Sequence, residues 1–319
     1  MVKIAIAGAS SSFAHDVIDA ILAKGDHEIL ALSRQVSQAV IGSWIPCSAL
    51  HENKRDAATD GRVVCKAVNY DDRNALTETL RGCDVVLCFF TGADPASATQ
   101  REKVLIDAAI NAGVRRFAPS EWATQSNSGT LVYGFKDEFR RYLEDVNKEQ
   151  KVIEYTLFQP GLFLDFFAHP RPGGRKAIVP GNGDYPLVLT TVRDTAAMIA
   201  EAIEYTGEWP TTGGIRGSRM MVSDLVKVAE SLRGSFDIEK VDEGDILSGQ
   251  LSAEWVPILK HPGIPVGQEV VMSRFTAQQF IQGTITGAWD VSDDWNKLMP
   301  NFTFTSAKDY LTEIWGSNA

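Results

Sequence analysis

Val2-Lys3-Ile4-Ala5-Ile6-Ala7-Gly8-Ala9-Ser10-Ser11-Ser12-Phe13-Ala14 opens the chain with an apolar run, a turn of small residues and the start of a helical pattern. Val17, Ile18, Ile21 and Leu22 then fall on one face of a helix over 13–24. The stretch reads as strand, turn, helix. At such a junction, backbone N–H groups and the positive end of the helix can hold a pyrophosphate. Gly8, Ser10, Ser11, Ser12 and Phe13 are therefore the first candidate site.

The same alternation continues outward. Residues 27–32 and 63–67 have strand character, and Asp71-Asp72 begins a helix through Leu76 and Leu80. Residues 85–90 form a continuous apolar run, which suits a strand covered on both faces. A helix over 98–112 with Gly113 at its C-terminal cap, a strand over 115–118, an amphipathic helix over 132–149 and a sixth strand over 152–158 follow. The pattern predicts an α/β fold with a doubly wound, mainly parallel, Rossmann-like sheet over 1–158. After Pro160 the texture changes: Pro170, Pro172, Gly173, Gly174, Pro180, Gly181 and Gly183 crowd a short stretch. Residues 159–319 read mainly as a smaller substrate-binding lobe, with elements near 177–205 returning to the first unit. Helices are expected over 192–205, over 222–232 with Ser223 or Asp224 as cap, over 276–287 and over 306–315.

Composition narrows the function. Of 319 residues, Lys and Arg total 31 against 41 Asp and Glu, a net charge of −10. That balance argues against nucleic acid or an anionic membrane as partner. Apolar runs fall far short of the ~20 residues that span a bilayer, and no targeting segment is visible at the start, so a cytoplasmic protein is expected. Cys47, Cys65, Cys83 and Cys88 lack metal or redox spacing and read as reduced, mostly buried thiols. His15, His27, His51, His169 and His261 lie far apart, and no metal site is expected. Ser33-Arg34 follows the second strand, where a dinucleotide's adenosine ribose would sit. Arg34 offers a planar fork of donors suited to a 2′-phosphate, which favours NADP(H) over NAD.

Further stretches carry a resemblance. Ile6-Ala7-Gly8-Ala9-Ser10, Leu32-Ser33-Arg34, Ala112-Gly113-Val114-Arg115-Arg116-Phe117-Ala118-Pro119-Ser120-Glu121-Trp122, Lys136 and Tyr155-Thr156-Leu157-Phe158-Gln159-Pro160-Gly161-Leu162-Phe163 resemble the NmrA-like and isoflavone-reductase-like branch of the atypical short-chain dehydrogenases/reductases. So does Val179-Pro180-Gly181-Asn182-Gly183 followed by Thr191-Val192-Arg193-Asp194. The GxxGxxG turn of extended reductases would place its second and third glycines at Ser11 and Ala14. Ser11 departs from that pattern. In the reductase members the lysine matching Lys136 contacts the nicotinamide ribose and serves in proton transfer. The resemblance thus implies an NADPH-dependent reductase in which Lys136 gives or relays a proton, or stays charged and polarises the developing oxyanion.

Tyr133 lies three residues before Lys136, on the same helical face, and could offer a hydroxyl if its ring turns inward. The competing reading of Lys136 is an exposed helix lysine beside Asp137 and Glu138. Leu162-Phe163-Leu164-Asp165-Phe166-Phe167 follows the sixth strand, where open α/β sheets place ligands. Phe163, Phe166, Phe167 and His169 are the candidate wall for a small aromatic or polyketide-like secondary metabolite, with core packing as the alternative for the apolar residues. The resemblance spans true reductases and NmrA-type regulators that bind the dinucleotide without turnover, and the same pocket would suit a non-redox isomerase or cyclase. A monomer or homodimer is expected.

Overall fold

The computed structural model describes residues 1–34, 61–90, 95–168, 174–259, 264 and 266–316. Its strands in the first half are β1 (Lys3–Ala7), β2 (Glu28–Ser33), β3 (Val63–Ala67), β4 (Val85–Cys88), β5 (Arg116–Ala118) and β6 (Glu154–Tyr155). All six are parallel, in the order β3-β2-β1-β4-β5-β6. The strand that opens the sequence is thus the centre of the sheet, with Ile6 in register with Ala31 on one side and Leu87 on the other. The order reverses direction between β1 and β4, and ligands of open α/β sheets sit outside the carboxyl ends of the strands at such a switch.

Helices cover both faces: α1 (Ser12–Lys24), α2 (Arg73–Leu80), α3 (Pro95–Ala112), α4 (Lys136–Val146), the short α5 (Asp165–Ala168) and α6 (Val192–Glu204). Alternate residues of β1 enter opposite cores, as strand geometry requires. Ile4 and Ile6 pack with Val17, Ile18 and Ile21 of α1 and with Ile199 and Ile203 of α6. Ala5 and Ala7 pack with Leu76 of α2, Leu105 and Ile106 of α3 and Phe139 of α4. Asp72 caps α2 by accepting from Ala75 N–H at 3.0 Å, and Gly113 follows α3 with φ +76°.

The expected sixth strand divides. β6 ends at Tyr155, and β7 (Leu157–Gln159) pairs instead with β11 (Thr212–Gly214). Thr156 N–H makes the last bond to β5, to Phe117 O, and the next N–H, that of Leu157, bonds Thr211 O, so the chain leaves one sheet for the other between these residues. The helix expected over 132–149 runs only from Lys136 to Val146, because 131–135 form turns in which Lys136 N–H bonds Tyr133 O.

Beyond β7 lie β8 (Leu162–Phe163), β9 (Lys176–Pro180), β10 (Pro186–Thr190), β12 (Ser218–Met221) and β13 (Asp237–Val241). β10 joins β8 and β12, and β13 lies parallel to β9. The later helices are α7 (Val222–Arg233), α8 (Glu243–Leu247), α9 (Glu269–Ile285), α10 (Asp294–Leu298) and α11 (Ala307–Gly316). Neither Ser223 nor Asp224 caps α7. Met221 holds that position, with no side-chain bond. α9 begins seven residues ahead of the 276 expected from the sequence, since Val270, Val271 and Phe275 in its first turns stay exposed and break the apolar face that marks a helix. Leu162, Leu164, Leu187, Leu189, Trp289 and Leu311 form this half's core. Among the described residues no helix is long and apolar enough to cross a membrane.

Candidate active site at the carboxyl edge of the sheet

The turn after β1 is built around Gly8, whose φ of +74° favours glycine. A Cβ there would also stand 2.7 Å from Phe89 O, so the β1 turn closes directly on the backbone that leaves β4. Tyr70 locks the turn to β2: its buried hydroxyl accepts from Gly8 N–H at 3.0 Å and donates to Leu32 O at 2.9 Å. Burial pushes the Tyr70 hydroxyl far up, which keeps it a neutral donor.

The structure accounts for the departure at Ser11. With φ −74° and ψ 143° the residue needs no glycine, and its Oγ caps α1 by accepting from Ala14 N–H at 3.2 Å. Ser10 and Ser12 are exposed at the mouth of the turn. Phe13 turns sideways into an aromatic cluster, 5.0 Å from Phe163, 5.4 Å from Trp122 and 5.6 Å from Phe89 between ring centres. The turn and the residue proposed for the substrate wall are therefore in contact. Arg34 is exposed at the end of β2.

After β5 the chain runs Pro119-Ser120-Glu121-Trp122, all buried. Trp122 holds φ +51°, a strained conformation for a bulky side chain. Three contacts fix it: a parallel stack on Phe89 at 4.6 Å, Nε1–H to Cys88 O at 2.8 Å and backbone N–H to Phe158 O at 3.0 Å. The carbonyls of Ser120 and Glu121, just before it, converge on Lys136. Nζ of Lys136 donates to Ser120 O at 2.7 Å and to Glu121 O. It also stands 5.2 Å from the centre of the Tyr133 ring and 5.9 Å from that of Phe135.

Lys136 is 6 % exposed, which removes the reading of an ordinary surface lysine. Burial, with Arg140 adding to it, lowers its pKa to about 8, against the opposing pull of Glu121 and Glu102. As the first residue of α4 it also sits at the positive end of the helix, where a cation is disfavoured. The Tyr133 ring packs edge-on against Trp289 at 5.9 Å, its face receives the ammonium, and burial pushes its hydroxyl up to about 12.

Two further buried groups belong to this corner. Arg140 holds both oxygens of Glu121, with Nε to Oε1 at 2.7 Å and a second bond from Nη2 to Oε2. Glu102 of α3 accepts from Ser120 N–H at 2.7 Å, and burial pushes its carboxyl up to about 8. The sequence carried a signal for Glu102: it shares the apolar face of Ala98, Thr99, Leu105, Ile106 and Ala109, where a carboxylate is out of place. Tyr70 had no such signal, since its role depends on two backbone groups far away in sequence.

The apolar run after β7 splits by role. Leu162 and Leu164 enter the core, whereas Phe166 is 51 % and Phe167 is 41 % exposed. Asp165 anchors α5 beneath them, accepting from Val192 N–H at 2.8 Å and from the Tyr310 hydroxyl at 2.8 Å. Trp315 Nε1–H closes the helix by donating to Ala168 O at 2.7 Å. His169 lies outside the described residues. His15 is buried in α1, and its pKa is lowered by that burial.

A six-stranded parallel sheet in this order, with a tight glycine turn at its switch point, defines the doubly wound, Rossmann-like class. The NmrA-like family profile matches residues 2–234, and the chain belongs to that family. The oxidoreductase swnN of Metarhizium robertsii is 24% identical over 362 residues, covering 99% of this chain and 98% of that protein. A bifunctional pinoresinol-lariciresinol reductase of Linum usitatissimum is 25% identical over 261 residues, covering 76% and 79%. Among solved structures, AtPrR2 with NADP+ and (+)pinoresinol superposes with a TM-score of 0.71 at 19% identity over 98% of each chain, which shows the shared fold.

Proposed function

We propose that this chain is an NADPH-dependent reductase of a small, largely apolar aromatic or polyketide-like metabolite, with Lys136 giving or relaying the balancing proton. The observation that carries the reading is Lys136 itself: a buried ammonium at the carboxyl edge of the sheet, held by the carbonyls of Ser120 and Glu121, the short loop whose Trp122 touches Phe13 at the end of the Gly8 turn. Relatives named as oxidoreductases and a neighbour solved with NADP+ support the activity and the cofactor.

The residues fit the dinucleotide. Gly8 lets the turn close against Phe89, Ser10 and Ser12 are exposed at the positive end of α1, and Arg34 is exposed where a 2′-phosphate would lie. When bound, the dinucleotide supplies a hydride. The protein's part is orientation and the proton. An ammonium has three N–H donors, and Ser120 and Glu121 occupy two on Lys136. The third meets the substrate oxygen, either passing its proton or stabilising the negative charge that develops there. With a pKa of about 8, Lys136 is mostly charged at neutral pH and ready to donate. Phe163, Phe166 and Phe167 wall the substrate, residues 1–158 with the returning stretch 177–205 hold the dinucleotide, and the rest of 159–319 shapes the substrate lobe.

The test is NADPH consumption by the purified chain against a panel of aromatic enones, ketones and benzylic ethers. Oxidation coupled to a reduced product is the expected result. NADPH binding without turnover across the panel would favour the regulator, and product without NADPH oxidation would favour an isomerase or cyclase.

A further inference from the structure

The Glu102 carboxyl takes no part in the proposed reaction, and its geometry ties it to Lys136. The two side chains come from different helices, α3 and α4, and grip opposite ends of one residue. Glu102 Oε1 accepts from Ser120 N–H at 2.7 Å, and Lys136 Nζ donates to Ser120 O at 2.7 Å. Both are buried, at 1 % and 6 % exposure. The Ser120 hydroxyl is spent elsewhere, on Phe90 O at 2.8 Å, so the residue is clamped at three points. We propose that Glu102 is a positioning residue for Lys136: it fixes the Ser120 peptide that receives the ammonium, and as it ionises its charge retains the lysine's proton. This rests on the reading of Lys136 as the proton donor.

The groups that face Glu102 define what it can do. Cys88 at the end of β4 shares a hydrogen bond with it, Glu121 in the loop after β5 repels its charge, and Lys136 of α4 attracts it. Arg140 of the same helix acts on Lys136 from the other side but is engaged with both oxygens of Glu121. Glu121's charge is thereby answered by a fixed guanidinium, while Glu102 has only Lys136 as a cationic counterpart among the described groups acting on it. A buried carboxyl and a buried amine that interact this closely titrate as a pair, and the protonation of each depends on the other. Each time Glu102 ionises, Lys136 holds its proton more firmly. With a neutral side chain at 102 that hold is lost, and the lysine releases its proton at lower pH.

The experiment follows the ionisation of Lys136 directly, in the full chain labelled at lysine Cε and glutamate Cδ with ¹³C. The Lys136 resonance is assigned by its disappearance in Lys136→Met. Glu102→Gln keeps an acceptor for Ser120 N–H and removes only the charge. Its Lys136 midpoint is expected to fall by about one unit, the low end of the effect of an opposite charge nearby, and the alkaline limb of kcat is expected to move with it. An unchanged lysine midpoint in a folded Glu102→Gln protein would overturn the proposal. Should that variant not fold, the unaltered chain still decides: a Lys136 Cε resonance that responds to the ionisation of Glu102 Cδ supports it, and two resonances that titrate independently of one another refute it. Lys136→Met that keeps full turnover would instead remove the donor reading, while the resonance coupling of Glu102 and Lys136 would stand or fall on its own.

Discussion

Two buried cations at opposite ends of the sheet, Arg116 and Lys136, are treated in opposite ways. At the amino edge Arg116 is 1 % exposed in its side chain and fully answered: Nε donates to Glu154 at 2.8 Å, both Nη atoms donate to backbone carbonyls, at 2.6 Å to Tyr205 and 2.5 Å to Gly207, and the guanidinium lies 4.9 Å from the Trp209 ring centre. Nearby, Asp84 accepts from Lys3 N–H and His27 from Val2 N–H, so this edge is pinned throughout. At the carboxyl edge Lys136 has two carbonyls, two aromatic faces and, among the described residues, no carboxylate bonded to it directly. A guanidinium with matched acceptors is a brace. An amine with a lowered pKa and a donor to spare is a reagent, and the difference tells structure from chemistry within one sheet.

That contrast can be broken. Replacing Arg116 with Met takes the guanidinium from Glu154, which keeps Trp209 N–H and Lys151, leaves two carbonyls unanswered, and is expected to cost about 3–5 kcal/mol, as for other broken buried pairs. Urea denaturation measures it; a loss under ~1 kcal/mol, the scale of a surface pair, would mean the amino edge is not the brace described here. Arg34→Ala acts on the other edge without touching the core. Losing a charged donor to the 2′-phosphate is worth about 1.5–3 kcal/mol, so NADPH binding should weaken by roughly tenfold or more while NADH binding holds steady. Equal affinity of the wild type for both dinucleotides would remove Arg34 from the site. Tyr70→Phe sharpens the comparison by loosening the turn alone. The loss of its bonds to Gly8 and Leu32 should cost about 1–2 kcal/mol and weaken NADPH binding in proportion; an unaltered denaturation midpoint would show that Phe89 packing holds the turn by itself.

Much of the frame was legible because it is local. The alternation of apolar strands with helices from Ile4 to Phe158 predicts the parallel sheet, and Asp72 and Gly113 cap their helices as their residue types require. The expected sixth strand divides because Leu157 N–H turns from β5 to Thr211 O, a pairing no periodicity reveals. The site was legible in part. The Gly8 turn and Lys136 lie in stretches with a recognisable pattern, and Ser11, which departs from that pattern, proves to be an ordinary helix cap. Glu102, Tyr70 and the strained Trp122 became visible only when folding brought 18, 38 and 34 residues of separation down to single hydrogen bonds. Long-range contacts of that kind leave at most a misplaced polar residue on an apolar face, as Glu102 does.

The central claim is that the buried Lys136 is a reagent rather than a brace, and the pH dependence of kcat in the wild type and in Lys136→Met tests it most directly, once a substrate from the panel is in hand. A donor must carry its proton, and the folded-state pKa is lowered to about 8, so activity should be full below that value and fall as pH rises through it. Lys136→Met should lower kcat by roughly 10²–10⁴-fold, the usual contribution of a positioned acid, and abolish that alkaline limb, while NADPH affinity and the thermal midpoint change little. A Lys136→Met protein that turns over at the wild-type rate with the limb intact, or one that simply unfolds as Arg116→Met is expected to, would contradict the account.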